Sequence, residues 1–495
     1  MSIWTATARL EAADRRIAEP IAAYRHRHLA ARPLVVVPLL LTGEASAPLA
    51  VAIGSARADR RILVVPQPRS RSLRDVFTVE LARLVTAYLG TCMEDRSTRI
   101  DAKGVEHSWY PNAPQIIVPN PGGITALAHL GRMTRYAHTE GPHGLDPAVA
   151  RCGCWLTFLA DRSEEAGSAL LMAATDMLCE VWATGQSPEE DAHLPALLAW
   201  IDPPDGVDAL EAALATEDPL RFPPAGPATD PGFDNAHLEG ALAAYDKARR
   251  AEDADGLRAA VERLTVAVTT QLDPTWTSVW DALSLLQGVP EAPSATGRRL
   301  SDCESFTSYS DYLDAGGLPQ PRHDSPRAAA ERLARLERAQ AEYDSRRALE
   351  DPMILAERRC EGEAFVGTVI AREPQRTETS SKGKILLRPR FSVATRDPIR
   401  LGPGPALLAS PDMPPGHRVQ IREITVTGQT STIVLEVTKG MGTPKRPTLG
   451  SVPTDGTDIA YTLAPDYRPL PAFPPADQTP WTHRRPDLPP EEPQP

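Results

Sequence analysis

The chain is poor in the residues that mark several large classes of protein. Its 495 residues include only 6 cysteines, too few for a disulfide framework over this length. No apolar run approaches the roughly 20 residues that cross a bilayer, and the N-terminal segment has no apolar signal core. We therefore expect a cytoplasmic protein without a membrane partner. Aromatic residues make up only 5%, so Ala, Leu and Val must form most of the core.

The sequence also lacks the short motifs of the common enzyme classes. It contains no G-x-x-x-x-G-K-[ST] phosphate loop, no G-x-S-x-G nucleophile elbow and no H-E-x-x-H metal helix. The nearest approach, Ser380–Lys384, lacks the first glycine of a phosphate loop and lies between predicted strands. No catalytic residue and no cofactor are predicted, and we expect a protein that is not an enzyme.

Charge is distributed unevenly along the chain. The whole sequence carries a net charge of −12, which argues against a general polyanion binder. Between Ala364 and Arg446, however, there are 13 Lys or Arg and 6 Asp or Glu, which gives a local charge of +7 and leaves −19 on the remainder of the chain. A basic module attached to an acidic body can still bind phosphate locally.

Hydrophobic periodicity divides the chain into five parts and predicts an α+β multidomain fold. An α+β head comes first, because three short apolar runs precede a helix and a further strand. A helical middle, a long stalk helix, a small β-barrel and a disordered proline-rich tail follow. The predicted parts are 1–122 for the head, 123–320 for the middle with an acidic, proline-rich connection at 185–235, 325–360 for the stalk, 364–442 for the barrel and 443–495 for the tail.

Two helical predictions bear on possible sites. Residues 4–30 have an amphipathic pattern that predicts a first helix, kinked at Pro20, with His26 and His28 near its C-terminal end. There, cationic histidines would complement the helix dipole. In the helix predicted at 254–286, Trp276 and Trp280 are four residues apart and share one face, which is typical of a core stripe.

One cluster has metal-ligand residue types, namely His138, His143, Cys152 and Cys154. Zinc deaminases use an H-x-E motif followed by P-C-x-x-C, with zinc activating a water molecule. Here the cysteines are spaced C-x-C and no proline precedes them. Free cysteine also packs well as a small apolar residue. Structural cysteines are therefore the main interpretation, and a zinc site is the alternative.

Basic residues crowd the predicted strands and connections of the barrel. Arg388 and Arg390 are two apart, so they share one sheet face. Such residues can neutralise phosphates along a nucleic acid, although only Phe365 and Phe391 are candidates for stacking on bases, and the alternative role of these two is in the core. The alternative is a protein-docking or merely solvated surface. The candidate nucleic-acid-binding residues are Lys382, Lys384, Arg388, Arg390, Arg396, Arg400, Arg418 and Arg422.

The stalk and barrel sequence resembles a known family over residues 325–446. The resemblance lies in Glu350–Arg359, Gly362–Val369, Asp397–Leu401, Arg418–Ile421 and Ile433–Gly440. This pattern is similar to the stalk-and-barrel insertion of superfamily 1B DNA/RNA-helicase-like AAA proteins of actinobacteria. The resemblance implies a barrel that sits on helices over the first motor domain and contacts the nucleic-acid strand.

The motor motifs that follow the barrel in that family are missing from this chain, which continues instead into the proline-rich segment. The resemblance therefore implies a companion of a separately encoded ATPase. The bias toward Arg, Ala and Pro is typical of a high-GC actinobacterial source. We expect a non-catalytic accessory protein that binds nucleic acid, a helicase-like ATPase, or both. The alternatives are a protein-interaction scaffold without nucleic-acid binding and a zinc-dependent hydrolase.

Overall fold

A computed structural model describes residues 2–44, 47–100, 104–141, 144–219, 222–223, 226–465 and 472, and shows an α+β multidomain protein. The elements before the stalk, in chain order, are α1 (Ile3–Arg15), β1 (Glu19–Pro20), β2 (Leu34–Leu40), β3 (Pro48–Gly54), β4 (Arg61–Val64), α2 (Arg71–Cys92), β5 (Ser97–Ile100), β6 (Glu106–Trp109), β7 (Ile116–Val118), α3 (Pro121–Thr134), α4 (Pro147–Ser163), β8 (Leu171–Ala173), α5 (Ala174–Cys179), β9 (Trp182–Ala183), α6 (Pro188–Asp191), α7 (Leu194–Ile201), α8 (Ala209–Leu214), α9 (Pro231–Phe233), a π-helical turn (Asp234–Leu238), α10 (Glu239–Arg250), α11 (Ala254–Gly288) and α12 (Ala295–Asp314).

The main sheet has the strand order β4-β3-β2-β7-β8. Strands β2, β3 and β4, which are the three apolar runs of the predicted head, pair antiparallel, whereas β2, β7 and β8 run parallel. Strand β2 is apolar at every position and almost wholly buried, without the alternation of a half-exposed strand. Such a strand needs cover on both faces of its sheet.

Helices supply that cover on the two faces. Val35 and Val37 point into a core that includes Trp276 of α11. Leu34 and Val36, which alternate with them, point into a second core that includes Trp155 of α4. The sheet is therefore the middle layer of three, and the prediction that Trp276 belongs to the core is confirmed.

The predicted boundary at residue 122 is wrong. Strand β8 comes from the predicted helical middle, yet it pairs with β7 of the predicted head, so the two predicted parts share one sheet. The acidic connection at 185–235 is also more than a loose linker, because Leu194 and Leu197 of α7 are fully buried in the core beside α11.

The first helix is shorter than predicted. It ends at Arg15, and Arg16 adopts a left-handed conformation with φ of 55°. Pro20 has no N–H to donate and disfavours a helical conformation in the preceding residue, so the chain continues extended. His26 and His28 consequently lie outside the helix, and their predicted role at its C-terminus is wrong.

The stalk consists of α13 (Pro326–Glu350) and α14 (Pro352–Glu361), separated at Asp351. It is docked on the preceding domain. Tyr343 of α13 donates a hydrogen bond of 3.2 Å to Glu180, which also pairs with Arg27 at 2.7 Å. Asp351 anchors the segment that contains His26, with a contact of 3.2 Å between the two side chains.

The barrel closes in the order β10-β13-β16-β15-β14-β19, with small hairpins beside it. Its closing strand, β19, pairs with β10 and β14 but lies in the predicted tail, so the predicted barrel boundary at 442 is wrong. Beyond 465, the structure describes only residue 472 of the predicted tail. The elements are β10 (Ala364–Glu373), β11 (Thr377–Thr379), β12 (Ile385–Leu387), β13 (Arg390–Thr395), β14 (Leu408–Ala409), β15 (Arg418–Thr427), β16 (Thr430–Lys439), β17 (Gly442–Thr443), β18 (Arg446–Pro447) and β19 (Asp458–Leu463).

In the part of the chain that the structure describes, no helix combines the length and the apolar character needed to cross a membrane.

Candidate nucleic-acid interface on the barrel

The outer wall of the barrel carries a buried carboxylate covered by arginines. Ile433, Leu435 and Val437 of β16 point into the barrel core, so Glu436 between them points outward. It is nevertheless 0% exposed, because guanidinium groups lie over it. Glu436 is 2.8 Å from Arg390, 3.2 Å from Arg376 and 2.5 Å from Arg422.

Strand register explains how these side chains meet. Arg390 of β13 stands directly opposite Glu436 in the antiparallel ladder. On the other side, Gln420 of β15 faces Glu436, and a register shift after Ile421 brings Arg422 into reach. Arg376 comes from the connection between β10 and β11. Its Nη1 also donates to the backbone carbonyl of Arg388 at 3.3 Å.

The arginines keep Glu436 ionised. Burial would raise its pKa, but hydrogen bonds from Arg422 and Arg390 and the positive charges of these arginines together outweigh that effect and hold the pKa of Glu436 below its ordinary value. Glu436 is the buried counter-charge of the arginine cluster, and the exposed Glu373 and Glu378 each lie 3.9 Å from Arg376. The excess positive charge of this surface therefore comes from the basic residues around the cluster. The side chains of Arg376, Arg390 and Arg422 remain 25%, 33% and 40% exposed, so their outer faces are available to a ligand.

Two hairpins extend this basic surface. Lys382 and Lys384 are exposed in the turn between β11 and β12, and Lys445 lies in the turn between β17 and β18. Strands β12 and β17 are in contact, which places the hairpins side by side. We call this region the basic end of the barrel. Its basic residues are Arg376, Lys382, Lys384, Arg388, Arg390, Arg418, Arg422, Lys439, Lys445 and Arg446, and its acidic residues are Glu373, Glu378, Glu423 and Glu436.

Arg388 and Arg418 belong to this end through backbone contacts. Arg388 donates to the carbonyl of Thr438 at 3.5 Å, and Arg418 donates to that of His417 at 2.8 Å. Arg376 was not among the predicted residues, because a single arginine before a short strand has no distinguishing signal. Glu436 was also missed, although its place between inward-facing apolar residues indicates an outward carboxylate on a basic wall.

The other two predicted residues lie elsewhere. Arg396 follows the far end of β13, and the backbone N–H of Arg400 donates to the carbonyl of Gly362 at 2.9 Å, where α14 leads into the barrel. The predicted set of eight therefore does not form one surface. The structure brings six of them to the basic end and leaves Arg396 and Arg400 near the stalk.

Phe365 and Phe391 do not form a surface for base stacking. Phe365 is 0% exposed and Phe391 is 2% exposed, and both pack in the barrel core with Tyr461. These side chains hold the strands together and do not stack on bases.

The alternative zinc cluster is not assembled among the described residues, where no group of three His, Cys, Asp or Glu side chains is placed to hold a metal ion. Cys152 and Cys154 are buried in α4. Burial raises the pKa of Cys152 to about 12 and also raises that of Cys154, whereas zinc binds the thiolate. His138 is exposed after α3, and His143 lies outside the described residues.

Comparison with protein-family models, with curated proteins and with solved structures found no match for this chain. The basic end of the barrel is therefore interpreted from its own geometry.

Proposed function

We propose that the basic end of the barrel binds the sugar-phosphate backbone of nucleic acid and that the protein is a non-catalytic accessory factor. The observation that carries the proposal is the arginine cluster on Glu436 beside two lysine-bearing hairpins. Because the carboxylate holds Arg390 and Arg422 in place, less side-chain freedom remains to be lost when a phosphate arrives. Arginine suits this role, since its planar fork donates to phosphate in a fixed geometry.

Binding of this kind is electrostatic and reads little sequence. Phosphate contacts position a nucleic acid without identifying its bases, and the buried Phe365 and Phe391 leave no stacking contribution from those rings. Affinity should therefore fall steeply with salt and vary little with base sequence. We also propose that the protein acts in the cytoplasm.

The same proposal includes a helicase-like ATPase encoded separately. Its support is the resemblance of residues 325–446 to a stalk-and-barrel insertion that sits over a motor domain. In this chain α13 and α14 connect the barrel to a three-layered α/β domain, which would take the place of the motor as the barrel's support.

The test is fluorescence anisotropy of labelled single- and double-stranded oligonucleotides, titrated with the full chain across a salt series. The informative variant is Lys382→Glu with Lys384→Glu, because both side chains are exposed on a hairpin outside the barrel core. We expect at least about tenfold weaker binding. The slope of the logarithm of affinity against the logarithm of salt concentration should fall in magnitude by about one for each lost phosphate contact.

Arg396→Glu with Arg400→Glu is the matched control. It changes the net charge by the same amount at exposed positions near the stalk, so its affinity should stay closer to wild type. Equal losses in both double variants would contradict an interface at the basic end. Absence of binding by the wild-type chain at low salt would favour the scaffold alternative.

A further inference from the structure

The α/β domain contains a large cavity that the proposed function does not use. It has a volume of about 770 Å³ and lies on one face of the sheet between α2 and α3. Leu40 and Ala50 of the sheet line it together with Phe77 and Leu81 of α2 and Leu130 and Met133 of α3. A cavity of this size fits a small organic ligand, since ligand pockets span roughly 300–1,000 Å³.

The position of the cavity in the fold supports a binding role. Pro38 and Leu40, which line it, belong to the carboxyl-terminal half of β2. Strand β2 runs parallel to β7, and α3 begins directly after β7. In open α/β sheets, ligands bind beyond the carboxyl ends of parallel strands. The cavity lies on the face of the sheet and reaches that edge at Leu40, the last residue of β2. Met133, which also lines it, is 54% exposed although it is a large apolar side chain.

The charged side chains that line the cavity are Arg71, Arg74, Asp75 and Glu140, and among these Arg74 offers a site for an anion. Arg71 and Arg74 of α2 both line the cavity. Arg71 lies 3.9 Å from Asp75, which offsets its charge in part. Arg74 donates to the carbonyl of Pro68 at 3.3 Å and has no carboxylate within salt-bridge distance among the described residues. Its positive charge is available to an anionic head group, whereas Glu140 at the same rim would oppose one.

We propose that this cavity binds a small amphipathic anion, with an aliphatic or aromatic body against Phe77, Leu81 and Leu130 and an acidic head group on Arg74. The apolar lining provides affinity by removing the body of the ligand from water. The guanidinium selects the acid, because charge-assisted hydrogen bonds are about twice as strong as neutral ones. A carboxylate and a phosphate monoester share this chemistry, and the experiment separates them.

The first test measures binding of four ten-carbon probes to the full chain by isothermal titration calorimetry below their micelle concentrations. The probes are decanoate, decyl phosphate, decanol and decylamine. We expect the better of the two anions to bind at least about tenfold more tightly than decanol, and the stronger anion identifies the head group. Equal binding of decanol and both anions, tighter binding of decylamine, or no binding of either anion would overturn the proposal.

Variants locate the binding in the cavity. Arg74→Gln should weaken the preferred anion about tenfold and leave decanol unchanged, and Glu140→Gln should strengthen the anion. Arg132→Gln is the control, because Arg132 is exposed on α3 and does not line the cavity. Ala126→Phe, at a partly exposed cavity position, should weaken binding of both the anion and decanol, because the larger side chain takes up part of the space that their bodies occupy.

Circular dichroism and the thermal midpoint establish that each variant is folded. An unchanged affinity for the anion in folded Ala126→Phe, or equal losses in Arg74→Gln and Arg132→Gln, would overturn the proposal. Oligonucleotide affinity should be the same in Arg74→Gln and wild type, so this test and the test of the barrel fail independently of each other.

Discussion

Two buried carboxylates, one at the joint with the stalk and one on the barrel wall, are held by different kinds of partner. Asp351 accepts hydrogen bonds from the backbone N–H groups of Ala23 and Tyr24 at 2.8 and 3.1 Å. It also accepts them from Met353 and Ile354 at 2.8 and 3.4 Å, capping α14. Glu436 instead faces arginine side chains that remain partly exposed.

The two kinds of partner give the two carboxylates different roles. Backbone donors cannot move without moving the chain, so Asp351 ties the segment at Ala23 to the start of α14, 328 residues further on. Arginine side chains are long and rotate freely unless they are held. Glu436 therefore orders the cationic surface of the barrel, whereas Asp351 fixes how the barrel is connected to the α/β domain.

Removing the carboxylate at the joint should have the largest effect. Asp351→Ala leaves its backbone donors and the ring of His26 without their acceptor in a buried site. We expect the free energy of unfolding to fall by about 3–5 kcal/mol. A buried donor left without an acceptor destabilises the fold by more than the net contribution of the hydrogen bond that it made. Urea denaturation of the full chain measures this change.

Asp281→Ala is the control for that loss. Asp281 pairs with Arg57 at 2.7 Å, but both side chains are about half exposed. Exposed pairs contribute roughly 0–1 kcal/mol. Similar losses in the two variants would show that Asp351 is no more than another surface charge.

Neutralising the carboxylate on the barrel wall should have a smaller and salt-dependent effect. Glu436→Gln keeps the shape of the side chain but leaves Arg376, Arg390 and Arg422 to repel one another. We expect a loss of about 2 kcal/mol in the free energy of unfolding, less than for Asp351 because the arginines are partly solvated. Added salt should reduce this loss by screening the repulsion.

The control for the barrel variant is Glu378→Gln, since Glu378 is exposed and lies 3.9 Å from Arg376. It should change stability by less than about 0.5 kcal/mol. If the loss in Glu436→Gln were independent of salt, the arginines would not be the cause, and the contrast with Asp351 would disappear.

Local sequence patterns predicted the elements but not their long-range partners. The strands of the β2–β4 sheet, the long helix α11 and the stalk helices follow from apolar periodicity and from caps such as Ser325, which accepts from the N–H of Ala328. Strand β8 was missed because a three-residue apolar segment between helices acquires its identity only from parallel pairing with β7. Strand β19 was missed because it lies in a segment rich in proline.

The sequence predicted a basic site on the barrel but not which residues form it. The excess of positive charge in the barrel was visible in composition, and alternation placed Arg388 and Arg390 on one face. Strand register and the register shift after Ile421 decide which basic residues come into contact. Neither can be read from the amino-acid composition. That is why Arg376 belongs to the cluster and Arg400 does not.

The smallest expected effect is the pH dependence of the barrel variant. The pKa of Glu436 is lowered in the folded protein, so its ionised form stabilises the fold above the ordinary glutamate pKa of about 4.3. This contribution is lost as the pH falls toward the folded pKa, because the unfolded state then binds the proton more tightly. Below its folded pKa, Glu436 of the wild-type protein is protonated and neutral, so it resembles glutamine.

We therefore expect the stability difference between wild type and Glu436→Gln to be constant from pH 7 to about pH 5 and to shrink below that. The slope of this stability difference against pH should not exceed about 1.4 kcal/mol per pH unit, the value for the binding of one proton. Urea denaturation at a series of pH values measures it. The same measurement applies to Asp351→Asn, because the pKa of Asp351 is also lowered in the folded protein. Hydrogen bonds from His26 and from backbone N–H groups together outweigh the opposing effect of burial on that pKa. A difference that grew with acidity would mean that Glu436 is neutral in the folded barrel, and the arginine cluster would then lack its counter-charge.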